Sequence, residues 1–79
     1  MEKISNEKVK IQLDSEKGIL CMSGLHVDTM VYLYNEVGEL QLKDKCVDSS
    51  LVMSLPRHGR YVLVIFHPTC QVEVRKIVF

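Results

Sequence analysis

Leu55-Pro56-Arg57-His58-Gly59-Arg60-Tyr61-Val62-Leu63-Val64-Ile65-Phe66-His67-Pro68 is the stretch that decides the fold. Pro56 has no N–H to give a ladder and Gly59 permits a reversal, so the chain turns before Arg60. From Tyr61 to Phe66 every side chain is apolar, and most are the β-branched or aromatic kinds that fit a pleated surface. A run apolar at both parities predicts a strand covered on both faces, and therefore one inside a sheet. Pro68-Thr69 ends it. This is also the longest apolar run in the chain, far short of the roughly 20 residues a membrane helix needs.

Working outward, alternation of period two continues in both directions. Lys8 to Asp14 alternates without a fault and puts Val9, Ile11 and Leu13 on one face, as a half-buried strand requires. After Ser15-Glu16-Lys17-Gly18, the run Ile19-Leu20-Cys21-Met22 is apolar at both parities and predicts a second strand in the middle of a sheet, with Cys21 as a small core side chain. Met30 to Tyr34 is β-branched and aromatic. Asn35-Glu36-Val37-Gly38 can supply the positive φ of a tight reversal, and Glu39 to Lys43 returns as the other arm of a hairpin. Lys43 to Ser50, polar apart from Cys46 and Val47, is expected to be a loop, and Ser50 to Leu55 presents Leu51, Met53 and Leu55 on one side.

The last run, Gln71 to Phe79, changes phase. Val72 and Val74 share one parity, Ile77 and Phe79 the other, so an extra residue at Arg75-Lys76, a β-bulge, is expected to return the apolar set to the core. No window of a dozen residues keeps a helical apolar stripe free of the alternation. About seven short strands at 8–12-residue spacing predict an all-β, antiparallel β-sandwich filling one domain over residues 1–79, with 1–7 flexible.

Composition bounds what such a domain can do. The chain has 79 residues, is 47% hydrophobic and 25% charged, and its ten Lys+Arg balance ten Asp+Glu. That is the make-up of an ordinary globular protein with a thin stability margin, without the broad basic field of a nucleic-acid binder. The neutral sum hides a division: Asp28 to Asp48 carries five acids against two bases, and from Arg57 onward four bases stand against Glu73. The polar start, Met1 to Lys8, holds no export signal. Two readings stay open, a cytoplasmic protein or an exported one whose leader has been replaced by a start Met.

Two segments carry a resemblance. Val31 to Leu40 resembles the "strand, aromatic, Asn or Asp, two residues, Gly, charged, apolar" hairpin of small exported β-sandwich domains of the Bacteroidota. Leu55 to Val64 is similar to the "Leu, three residues, Gly, one residue, Tyr, alternating apolar" motif that follows it there. That layout is shared by a family of small stand-alone secreted proteins of unknown function and by the C-terminal sorting domains of the type IX secretion system. The likeness runs from about Gly24 to Phe79. It implies a seven-stranded immunoglobulin-like or fibronectin type III-like sandwich, exported to the periplasm or cell surface, with no assigned chemistry. Sorting domains open with an Asn-Pro segment and follow a large passenger; this chain has no Asn-Pro pair and is short, which favours the stand-alone family. Leu55, Gly59 and Tyr61 also match a tyrosine corner, in which the hydroxyl returns to backbone a few residues upstream, here within Leu55 to His58.

Few residues invite chemistry. Three cysteines, Cys21, Cys46 and Cys70, allow at most one internal pair and are expected to be reduced. His67-Pro68-Thr69-Cys70 has the two-residue gap of a zinc knuckle, but no spacing brings Cys21, His26, Cys46 or His58 to it, so no metal or other cofactor is expected. A thiol nucleophile would need a cleft that a filled sandwich of this size scarcely offers, and no phosphate loop, nucleophile elbow or His-Glu-x-x-His helix occurs. The expectation is a non-enzyme.

Tyr32 and Tyr34 share a face of their strand, opposite Val31 and Leu33. If Val31 and Leu33 enter the core, the two tyrosines stand outward as a candidate surface for a protein, peptide or glycan. The regular Lys8 to Asp14 strand is a candidate edge for a partner strand or a homodimer. The function expected is a binding, adhesion or scaffolding module, with a secretion-sorting domain or a cytoplasmic ligand-binding or regulatory domain as alternatives.

Overall fold

The computed structural model describes residues 9–69 and 72–79. The expectations for residues 1–7 and Cys70 lie outside these. Seven strands run in order: β1 (Lys10–Asp14), β2 (Ile19–Ser23), β3 (Met30–Asn35), β4 (Leu40–Lys45), β5 (Ser50–Ser54), β6 (Arg60–Phe66) and β7 (Glu73–Val78). All pairings are antiparallel, in a three-stranded sheet β1-β2-β5 and a four-stranded sheet β4-β3-β6-β7. The described residues contain no helix.

Period two chooses the buried side chains. Leu20 and Met22 from β2, Leu51 and Met53 from β5, Val31 and Leu33 from β3, and Tyr61, Leu63 and Ile65 from β6 form one cluster between the sheets. The two strands read as doubly covered hold inner positions: β2 is central in its sheet and β6 lies between β3 and β7.

Turn chemistry sets the registers. Asp14 Oδ1 accepts the Glu16 and Lys17 N–H groups at 3.1 and 3.2 Å, and the Gly18 N–H donates to Asp14 O at 2.7 Å, closing β1 onto β2. In the β3–β4 hairpin Asn35 Oδ1 takes N–H bonds from Val37 and Glu39, and Gly38 supplies the positive φ of 87°. The arch from β5 to β6 is clamped by Tyr61: its hydroxyl donates to Arg57 O at 2.6 Å and accepts the Arg57 N–H at 3.3 Å, while the ring is buried.

Three expectations are corrected. The segment read as a loop from Lys43 is strand as far as Lys45, and Cys46 follows as a wholly buried plug: its N–H donates to Thr29 O and its carbonyl accepts the Asp28 N–H, tying the 24–29 crossing to the 46–49 crossing. Cys21, expected in the core, is exposed, because pairing β2 with Leu20 and Met22 inward turns it to solvent. No bulge interrupts Arg75-Lys76; β7 pairs with β6 in unbroken register from Ile65↔Glu73 to Arg60↔Val78. The irregularity lies between β3 and β4, where Leu33↔Leu42 is followed by Tyr34↔Leu40 and Gln41 is the extra residue.

Unbroken register turns Val74 and Val78 outward and Glu73 and Arg75 to the inner side of an edge strand. Arg75 Nη2 donates to Glu73 Oε1 at 2.8 Å, and Glu73 Oε2 is buried without a hydrogen-bond partner among the described residues. Inward charge is a known way of protecting a sheet edge from adding strands, since a docking strand would have to bury it. The double variant Glu73→Val/Arg75→Val is therefore expected to associate, its light-scattering mass rising to about twice that of the wild type or more at equal concentration. An unchanged mass would remove this role from the pair.

Candidate functional site

Val31 and Leu33 are fully buried, so the other parity of β3 faces out from the four-stranded sheet. Tyr32 lies between Lys43 of β4 and Val64 of β6; Tyr34 lies between Leu40 and Val62. Both rings are half-buried against these neighbours. Met30 and Phe66 pair at one end of the face, and beyond β6 the same surface continues onto Val74, Lys76 and Val78 of β7. Phe66, Val74 and Val78 are 38%, 58% and 68% exposed, so the patch is apolar and open to solvent. The outer face of the other sheet differs. It carries Ser23, Ser50 and Ser54 among Gln12, Ile19, Cys21 and Val52, with Lys10 and Asp14 on β1. The β1 strand is an edge there, as the alternation predicted.

At the hairpin end of the four-stranded sheet the β3–β4 turn and the 56–60 arch enclose an open cleft of about 390 Å³, lined by Glu36, Glu39, Arg57, His58 and Arg60 with Asn35. A second hollow shares Glu36, Arg60 and Tyr61 with it and is bordered also by Val62, Lys76 and Val78, which lie at the outward parity of β6 and β7. Acid and base stand on opposite walls, and among the described residues that line the cleft none is Ser, Thr or Cys.

The histidines and cysteines are dispersed. His58 stacks on Phe79 with ring centroids 4.0 Å apart. At the opposite pole His26 and His67 lie 5.8 Å apart, a proximity that spacing alone did not indicate, because it comes from the 24–29 crossing meeting the end of β6. His67 Nδ1 accepts the Thr69 N–H at 3.1 Å. Among the described residues no three His, Cys, Asp or Glu side chains gather as a metal site.

The thiols of Cys21 and Cys46 are both free but differ in environment. The Cys46 thiol donates to the Asp48 carbonyl; burial, and then the Asp48 charge, push its pKa up. The folded state thus holds this proton longer than the unfolded chain does. The associated stability is complete below the ordinary thiol value of 9.0 and is lost as pH rises from there through the raised folded value. With iodoacetamide at neutral pH, Cys21 is expected to alkylate at least about a hundredfold faster than Cys46, which becomes reactive on unfolding in urea. Peptide mass mapping reads both rates, and equal rates would contradict the buried placement of Cys46.

No protein-family model and no curated protein matches the chain.

Proposed function

We propose that the chain is a non-catalytic binding module, immunoglobulin-like and closest to the fibronectin type III arrangement, whose contact surface is the outer face around Tyr32 and Tyr34. The pairing supports the finer fold assignment: the fourth strand stays beside the third, whereas the constant-type immunoglobulin order sets it in the other sheet. The Tyr61 hydroxyl on the Arg57 backbone is the clamp such sandwiches use at the arch between sheets.

One observation carries the functional reading. Two tyrosines stand two residues apart on β3, at the outer face of the four-stranded sheet, which also exposes Leu40, Phe66, Val74 and Val78, where a soluble domain ordinarily presents polar side chains. Tyrosine gives large, stiff contact area with a polar tip, which suits recognition of a protein, peptide or glycan. Export to the periplasm or cell surface rests on the likeness of the Val31–Leu40 and Leu55–Val64 segments to exported Bacteroidota domains. Binding to peptide and glycan arrays should fall about tenfold or more in Tyr32→Ala/Tyr34→Ala relative to wild type, the size expected when two anchoring aromatics are truncated. Val52→Ala, on the other sheet, should bind as wild type does. Binding indifferent to the tyrosines would move the site elsewhere.

A further inference from the structure

We propose that the Tyr32 face binds an acidic, extended segment of a partner polypeptide with apolar side chains between its carboxylates; this rests on the reading of that face as the binding surface. The sequence divides charge into an acidic middle and a basic end, but folding divides it differently. The acids of the middle go mostly to connections: Asp28 to the 24–29 crossing, Glu36 and Glu39 to the hairpin turn, and Asp48 to the 46–49 crossing. Asp44 stands opposite Val31, at the inward parity of edge strand β4, and is exposed. Lys43 and Lys45, from the same acidic stretch, point outward beside β3, and Arg60 and Lys76 do so on β6 and β7.

Every charged strand position on this outer face is therefore basic, and the bases flank an apolar centre. Two acids approach it only at its ends: Asp28 pairs with Lys45 at 3.4 Å, and Glu36 borders the hollow that Arg60 and Lys76 share. The face of the other sheet, whose only charged strand positions are one Lys and one Asp, has no such bias. Complementarity points to carboxylates over Lys43 and Lys76 with aliphatic or aromatic groups on Tyr32, Tyr34 and Val64. In an extended segment residues i, i+2 and i+4 face the sheet together, so a segment whose every second position alternates between acidic and apolar supplies both to this face. Ten such residues span about 33 Å, enough to cross the face along β6, whose seven residues run about 23 Å. A second copy of this chain is a poor occupant, because its own apolar face carries the same sign.

The test uses synthetic peptides of about ten residues in which every second position alternates between Glu and Val or Leu, with Ser between them, against counterparts with Lys for Glu, and titrates each by fluorescence anisotropy. Oligothymidylate and a polyuronate run as separate arms. The acidic peptide is expected to bind at least about tenfold tighter than the basic one and to weaken several-fold between about 50 and 300 mM salt, as pairing across a partly exposed interface requires. Lys43→Glu/Lys76→Glu changes two exposed side chains and should reverse the preference with an unchanged urea midpoint. If acidic and basic peptides bind equally and both depend on Tyr32 and Tyr34, the charge assignment is wrong and the binding face stands. Oligothymidylate or polyuronate binding in place of the peptide overturns the polypeptide assignment. Ligands of every class that ignore the two tyrosines overturn this proposal and the binding face together.

Discussion

Leu63→Ala is expected to leave the chain at the edge of unfolding at 25 °C, with about 3–5 kcal/mol lost. Leu63 is fully buried in the middle of β6, pairs with Leu33 of β3, which is itself fully buried, and belongs to the cluster that holds the two sheets together. Truncation removes three carbons' worth of transfer free energy and leaves a cavity walled by two sheets, which cannot collapse without breaking ladder bonds. The same loss in a large protein is tolerable. A single core in a chain of this size rarely supplies more than about 3–5 kcal/mol of net stability, so here one side chain is comparable to the whole margin. Urea unfolding followed by circular dichroism should show the midpoint falling towards zero denaturant. Val52→Ala, a truncation at a site 60% exposed on the outer face of β5, should stay within about 0.5 kcal/mol of wild type. A Leu63→Ala midpoint close to wild type would mean that the core is not closed around β6.

The strands were legible because period two is a local property. Val31 and Leu33 inward with Tyr32 and Tyr34 outward follows from four consecutive letters once one parity is buried. The errors fall where locality fails. Ile19-Leu20-Cys21-Met22 is apolar at both parities, so its pattern is silent about which set is inward; pairing with β1 and β5 decides for Leu20 and Met22 and turns Cys21 out. Cys46 follows the end of β4, and its burial comes from two crossings bonded to each other, which leaves no periodic mark. In β7 the apolar pattern changes phase, yet the register is fixed from outside the strand: Gly59 and Phe79 exchange backbone bonds at 3.1 and 2.9 Å, anchoring the end of β7 to the arch before β6. Charge obeys the same rule. Lys43, Arg60 and Lys76 share a face only through three strand pairings, one of which, β3 with β6, joins distant segments, so linear charge counts located the asymmetry without its geometry.

That anchored corner sets the second large effect. Gly18→Ala is expected to cost about 2–3 kcal/mol, near the upper range of single substitutions outside a core. Gly18 has φ +66°, where an L side chain costs roughly 1–2 kcal/mol. A Cβ there would also stand 2.6 and 2.7 Å from two carbons of the Phe79 ring. The ring has little freedom to retreat, since it stacks on His58 and its backbone is tied to Gly59. Gly18 is itself held, its N–H on Asp14 O and its carbonyl accepting the Leu55 N–H at 2.8 Å. The two contributions separate in a double-mutant cycle. Phe79→Ala removes the clash and leaves the backbone strain, so Gly18→Ala should cost only about 1–2 kcal/mol in that background. Phe79→Ala alone loses packing against the turn and destabilises too, so the coupling, rather than either single value, is the decisive quantity. Fully additive losses would place the Phe79 ring away from the β1–β2 turn and leave the strand end without this anchor.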